Sequence, residues 1–201
     1  QAAYHDLTQY SIPGEVYAVP RPATPYLQEV GQDPGKLRIG MIKTAADGQA
    51  VHSECVAAVE NAASLLESLG HQIEETAYTF DYGQLTEVFS RIACAATAAG
   101  ILSSEPHVGR PPRQGDFTTV IQEMLERGQQ QNAAEHYQDV ETMHQIGWAV
   151  GADCDPYDVV ITPTLPQPPH KVGHFDMSLP FDKLNYEILV PEVVFTLPHN
   201  I

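Results

Sequence analysis

Hydrophobic and polar positions fall into regular periods once the chain passes the turn Asp33-Pro34-Gly35-Lys36. The short apolar run Leu37-Arg38-Ile39-Gly40-Met41-Ile42 predicts a strand. After Asp47-Gly48 the period becomes helical: Val56, Val59, Ala63, Leu66 and Leu69 fall on one face. Ser53 is the expected N-cap, Glu54 complements the helix dipole, and Gly70 stands where a C′ glycine ends a helix. His71-Gln72-Ile73-Glu74-Glu75-Thr76 then alternates as a short edge strand. Strand, helix and strand within about 45 residues make a βαβ unit, and hence a parallel sheet.

A second helix is predicted over 81–102, with Leu85, Val88, Phe89 and Ile92 followed by the small run Ala93-Cys94-Ala95-Ala96, which permits close approach of a neighbour. Polar residues and Pro dominate from Ser103 to Gly115. Two further helices fit 116–128 and 130–150, the latter starting near Asn132 with acidic residues on its outer face. The turn Asp155-Pro156-Tyr157-Asp158 leads into Val159-Val160-Ile161, a β-branched run expected of a strand covered on both faces. It ends at Thr162-Pro163-Thr164, a Pro-rich loop runs to Gly173, and Tyr186 to Phe195 is apolar again. Residues 1–35 show no sustained period. From Ser11-Ile12-Pro13-Gly14 to Arg21-Pro22-Ala23-Thr24-Pro25 they read as an extended Pro-rich connector. The predicted class is α/β: a mixed, largely parallel sheet flanked by helices, with the folded part at 36–201.

Composition narrows the function. The 201 residues carry 26 Asp+Glu against 10 Lys+Arg, a net charge of −16, with 43% hydrophobic residues. That apolar share supports a core, and the acidic surface argues against nucleic acid or anionic membrane as a partner. No apolar run is expected to reach the length of a membrane span, and the N-terminus does not resemble a signal peptide. Cys55, Cys94 and Cys154 are far apart with no C-x-x-C, the usage of a reducing, cytoplasmic compartment.

Recognisable catalytic motifs are missing from the 201 residues. There is no G-x-S-x-G elbow, no phosphate loop and no G-x-G-x-x-G. Ser103-Ser104 has no neighbouring glycine to expose a hydroxyl or shape an oxyanion hole. His170 and His174 are four apart, but Pro166, Pro168, Pro169 and Gly173 argue against the helix that would align them, so exposed or capping roles are the default. His136 and His144 match no ligand set. Among Lys36, Lys43, Lys171 and Lys183, only Lys43 follows a strand and is a candidate for a desolvated proton-relay lysine. On the residues alone, no catalytic residue, metal site or cofactor is assigned.

Three segments taken together resemble the amidase signature family, the serine amidases with a Ser–cis-Ser–Lys triad. They are Pro34-Gly35-Lys36-Leu37-Arg38-Ile39-Gly40, the stretch from Val51-His52-Ser53-Glu54-Cys55 through Leu65-Leu66-Glu67-Ser68-Leu69-Gly70 to Glu75, and Tyr157-Asp158-Val159-Val160-Ile161-Thr162-Pro163-Thr164 with Gln167-Pro168-Pro169 after it. Their order and spacing carry the resemblance, which points to the bacterial branch acting on linear or cyclic oligoamides. It implies an incomplete part of the amidase signature fold, with 36–201 as the C-terminal part of the domain and the catalytic N-terminal part absent. The family's lysine and its Gly/Ser-rich signature, source of both serines and of the oxyanion-hole amides, are expected upstream. His199-Asn200-Ile201 would begin a later buried segment.

The resemblance therefore implies a small-molecule amide as substrate of the intact enzyme, the N-terminal catalytic portion as partner, no cofactor, and inactivity of this chain alone. It makes Thr162 and Thr164 candidate substrate contacts at the sheet edge, and Phe89 and Cys94 candidate pocket residues. Turn chemistry for the threonines and a core thiol for Cys94 are the structural alternatives. Two other functions stay open at this point: a non-catalytic partner chain of an amidase-like complex, and an unrelated small-molecule-binding α/β domain.

Isolated, the chain is expected to expose apolar sheet edges and to self-associate, with homo-oligomers as one form. Sedimentation of the purified chain checks this, and a monodisperse monomer with a cooperative melt would count against it.

Overall fold

The computed structural model describes residues 1–8, 13–14, 22–113 and 115–201, and the chain divides into two compact units, Gln1–Lys36 and Leu37–Ile201. Part of the expected connector, within Ser11–Pro25, lies outside the described residues. The rest of the first unit is not simply extended: it holds two short helices, α1 (Ala2–Thr8) and α2 (Tyr26–Glu29). The Asp6 carboxylate accepts the Tyr26 and Leu27 N–H groups at 2.7 and 2.9 Å, so α1 caps the exposed donors of α2.

In the second unit β1 (Arg38–Met41), α3 (Ser53–Ser68) and β2 (Gln72–Glu75) form the predicted βαβ unit, with Ile39 opposite Ile73 in the parallel register. β3 (Val159–Ile161) pairs in parallel on the other side of β1, giving the order β2-β1-β3. Helices flank this sheet, as the α/β reading requires. Val159 is 43% exposed, however, so β3 is an outer strand in the described sheet and not one covered on both faces.

The ends of α3 illustrate local control. The cap is the His52 imidazole, whose Nδ1 accepts the Glu54 N–H at 3.2 Å, while the expected cap Ser53 is the first helical residue. At the other end Gly70 has φ +94°. Its N–H reaches the Glu67 carbonyl at 2.9 Å and the His71 N–H reaches Leu66 at 3.2 Å, a Schellman closure. Val59 and Ala63 are buried against Met41, but Leu69, at the C-cap and turned well round the helix from that face, is 66% exposed.

Four helices follow: α4 (Tyr82–Ser103), α5 (Glu105–Val108), α6 (Thr119–Gln130) and α7 (Ala133–Cys154). Asp81 caps α4 by accepting the Gln84 N–H. Asn132 and Glu135 form a full capping box on α7. Beyond β3 come α8 (Phe181–Leu184), a π-helical stretch Asn185–Leu189, α9 (Val190–Glu192) and a 3₁₀ turn Leu197–His199. The apolar tail closes the main core: Val194, Phe195 and Leu197 pack with Ile42, Leu85, Ile146 and Val150. A second cluster joins Cys94, Val120, Phe181 and Leu184.

Two expectations need correction. The segment Tyr82–Val108 is long and apolar enough, by length and composition, to cross a membrane. Its Ala, Ile and Leu content raises the hydropathy, and in this fold α4 packs against α6 and α7. The acidic residues are also not all on solvated faces. Asp139 of α7 is only 5% exposed, because Arg91 of α4 lies against it.

Helices α4 and α6 approach closely at Gly128. A Cβ on Gly128 would collide with the Cys94 carbonyl and come within 2.7 Å of the Ala98 Cβ, whereas a Cβ on Gly147 of α7 meets nothing. In chemical denaturation Gly128→Ala should destabilise by about 1–3 kcal/mol through overpacking. Gly147→Ala should stabilise by about 0.5–1 kcal/mol through helix propensity.

Candidate functional site

One face of α4 carries Tyr82, Thr86, Ser90 and Cys94 at successive intervals of four, all of them buried. Within this stripe the hydroxyls are satisfied locally. Thr86 Oγ1 donates to the Gly83 carbonyl at 2.9 Å, and Ser90 Oγ donates to the Thr86 carbonyl at 2.6 Å. The segment after α8 lies across it: Asn185 Nδ2 donates to Ser90 Oγ at 2.8 Å, and the Tyr82 hydroxyl donates to the Val190 carbonyl at 3.0 Å. Burial raises the Tyr82 pKa, so this hydroxyl stays protonated as a donor.

The stripe borders two cavities. One, of about 280 Å³, is lined by Ser90, Arg91 and Cys94 of α4, by Arg127, Gln130, Gln131 and Glu135, and by Phe181 and Tyr186. The other, of about 490 Å³, includes Tyr82, Gly83, Thr86 and Pro191, together with Ala46 and Asp47 beyond the carboxyl end of β1. That is the end of a parallel strand where α/β folds gather ligands. Tyr186 lines both.

The cations at the first cavity are compensated. Arg91 grips Asp139 with Nε and Nη2, the shortest contact being 2.7 Å, and donates to Glu87 through Nη1. Hydrogen bonding to Asp139 raises the Arg91 pKa further, and Gln131 Nε2 gives Asp139 another donor at 2.6 Å. Arg127 forms a two-pronged pair with Asp182, both contacts at 2.9 Å, and stacks over the Phe181 ring at 4.6 Å. Burial pushes the Cys94 thiol up, while the Arg127 charge opposes the shift. Both arginines are therefore paired, Glu135 adds a carboxylate to the lining, and polar and apolar groups share the wall, which suits a ligand that is not an anion.

Of the four expected site residues, only Cys94 lines this cavity. Phe89 shares α4 but is 38% exposed and lines neither cavity. Thr162 donates to the Pro163 carbonyl at 2.8 Å and Thr164 is exposed, both beyond β3 and outside the two cavity walls. The residues sequence reasoning missed are Thr86, Ser90 and Tyr186. The i, i+4 series Tyr82, Thr86, Ser90, Cys94 was the available signal, a polar line on an otherwise apolar helix.

The other candidates are also placed. Lys43 Nζ lies 3.0 Å from both Glu60 and Glu75, and these bonds, Glu75 first, raise its pKa. It is a fixed cation, the opposite of a neutral relay lysine. Ser103 and Ser104 donate to the Gly100 and Ile101 carbonyls at the end of α4. His170 and His174 are not on a helix, yet their rings stack at 3.8 Å.

The family model described as Amidase matches residues 2–200. The chain is similar to a 6-aminohexanoate-cyclic-dimer hydrolase of Paenarthrobacter ureafaciens, 26% identical over all of this chain and 42% of that protein. It is also 28% identical to a putative amidase of Synechocystis sp., over 90% of this chain and 33% of the relative. A solved 6-aminohexanoate cyclic dimer hydrolase complexed with substrate superposes with a TM-score of 0.86 at 25% identity, over 99% of this chain and 43% of that one. A bacterial aryl acylamidase of the amidase signature enzymes shares the fold, with a TM-score of 0.64 at 15% identity over 77% of this chain and 32% of that one. The chain thus spans 42% of the length of the cyclic-dimer hydrolase.

Because its thiol is buried and its pKa is raised, Cys94 holds less thiolate at pH 7.5 than an ordinary cysteine. Mass-spectrometric mapping after iodoacetamide treatment should find it alkylated at least about tenfold more slowly than a free thiol. Labelling at the free-thiol rate would show that the α4–α6 wall is open.

Proposed function

This chain belongs to the amidase family, and from that premise we propose that it is part of a serine amidase that hydrolyses non-peptide carboxamides through an acyl-serine intermediate. Its substrates would be linear or cyclic oligoamides, and the name of the hydrolase it is similar to specifies a cyclic dimer of 6-aminohexanoate, which carries no ionised end. The observation that carries this reading is the first cavity, where polar and apolar groups share the lining and both arginines are paired with carboxylates. Desolvating a neutral amide there costs far less than desolvating an ion.

In this reading the chain supplies scaffold and pocket wall, and the reacting groups come from an N-terminal catalytic portion. That portion's serine attacks the amide carbonyl, and a second serine carries the proton to and from a neutral lysine. Backbone N–H groups hold the oxyanion, the amine leaves, and water releases the acid. The serines and the lysine discussed above do not fit those roles. Ser90 and Ser104 are bonded to helix carbonyls, and Lys43 is held as a cation. The site is the stripe Thr86, Ser90 and Cys94 with Tyr186; Phe89, Thr162 and Thr164 would contribute only if the completed pocket reaches them. The unpaired cysteines accord with a reducing cytoplasm.

The test is reconstitution. This chain and a separately expressed N-terminal portion should each leave a simple carboxamide intact and cleave it when mixed. Turnover by this chain alone would defeat the proposal. In the mixed enzyme Cys94→Ala should raise KM with little change in kcat, because a wall contact is made in both ground and transition states. An unchanged KM would remove Cys94 from the substrate wall.

A further inference from the structure

We propose that His170, His174 and Glu192 form a binding site for a divalent first-row transition-metal ion, with zinc as the type case. None of the three residues lines either cavity described above, although Glu192 follows Pro191 of the second cavity wall, and the proposal is independent of the amidase reading. The Pro-rich loop ends in a tight turn, in which the His174 N–H donates to the Lys171 carbonyl at 3.2 Å and Gly173 takes φ +93°. A turn of this form sets the residues flanking it side by side, which achieves in a loop what i, i+4 spacing achieves on a helix. The two rings stack at 3.8 Å and 10°, and Phe175 packs edge-on to both, at 5.9 and 4.9 Å.

The third donor comes from α9. Glu192 Oε1 lies 2.8 Å from His170 Nε2, and its second oxygen, Oε2, is buried without a hydrogen-bond partner among the described residues. A buried carboxylate oxygen left unpaired is costly, and a cation would satisfy it. One ligand atom from each of the three residues lies within 4.8 Å of the others. Bonds of about 2.0–2.2 Å to a tetrahedral ion place ligands about 3.4 Å apart, so closure of roughly an ångström is needed. Nearly parallel rings do not aim at a common point. The convergence and the closure would come from rotation of the exposed His174 ring out of its stack on His170.

The donor set decides the ion class. Two imidazoles and one carboxylate suit zinc and its neighbours, while calcium and magnesium require oxygen shells. The ion would take the place of the direct 2.8 Å contact between His170 Nε2 and Glu192 Oε1. Its mechanical effect would be to tie the Pro-rich loop to α9, whose Pro191 lines the second cavity.

Calorimetric titration of the chelator-treated protein with zinc chloride tests this. We expect one ion per chain, a Kd in the micromolar range or tighter, and a rise in melting temperature, with no response to magnesium. His174→Ala and Glu192→Gln should each weaken binding at least about tenfold, while His144→Ala and Cys55→Ala leave it unchanged. Circular dichroism confirms that the variants fold. X-ray absorption of the zinc form provides a readout that needs no variant, with nitrogen and oxygen neighbours expected. No saturable binding below about 1 mM, unweakened binding by His174→Ala or Glu192→Gln, or a sulfur neighbour would overturn the site.

Discussion

The α4–α6 crossing is the constraint on which the site depends. Gly128 lets the two backbones approach until the α6 Cα sits against the Cys94 carbonyl and the Ala98 methyl. Any side chain there would push α6 outward, carrying Arg127 and Gln130 with it. Those residues form the wall opposite Cys94. The small-residue run on α4 and one glycine on α6 therefore set the width of the cavity. The second apolar cluster, from Cys94 to Phe181 and Leu184, follows from the same approach.

Electrostatics then determine what the cavity can accept. A chain of net charge −16 has few cations, and two of its ten are spent at this wall in paired form. Asp139 is buried and holds Arg91 with Gln131 as a further donor. Removing one partner would leave the other without compensation, so the network holds α7 against α4 as well as shaping the site. The result is a wall of mixed polar and apolar groups whose two guanidinium charges are already paired and to which Glu135 adds a carboxylate.

The family relationship and the local geometry bear on different parts of the account. Membership in the amidase family fixes the fold, and the arrangement of α4, α6 and the 181–192 segment shapes the wall that this chain contributes. The π-helical turn Asn185–Leu189 presents Asn185 to Ser90 and brings Tyr186 to both cavities, so this segment joins the pocket wall to the apolar tail that closes the core.

By itself the sequence determined the local elements. Period and capping chemistry located the βαβ unit, the stop at Gly70, the Asn132 start of α7 and the parallel pairing of Leu37–Ile42 with the strand after Gly70, because those signals act over a few residues. Family-level motifs were legible for the same reason. Tertiary structure alone decided which polar groups are buried and together. Arg91 and Asp139 are 48 residues apart, Ser90 and Asn185 are 95 apart, and His170 meets Glu192 across 22. No period relates such positions; only packing does. It also turned Asp139 from an expected solvated acid into a core residue, left Phe89 and Thr164 at the surface, and set two loop histidines face to face without a helix.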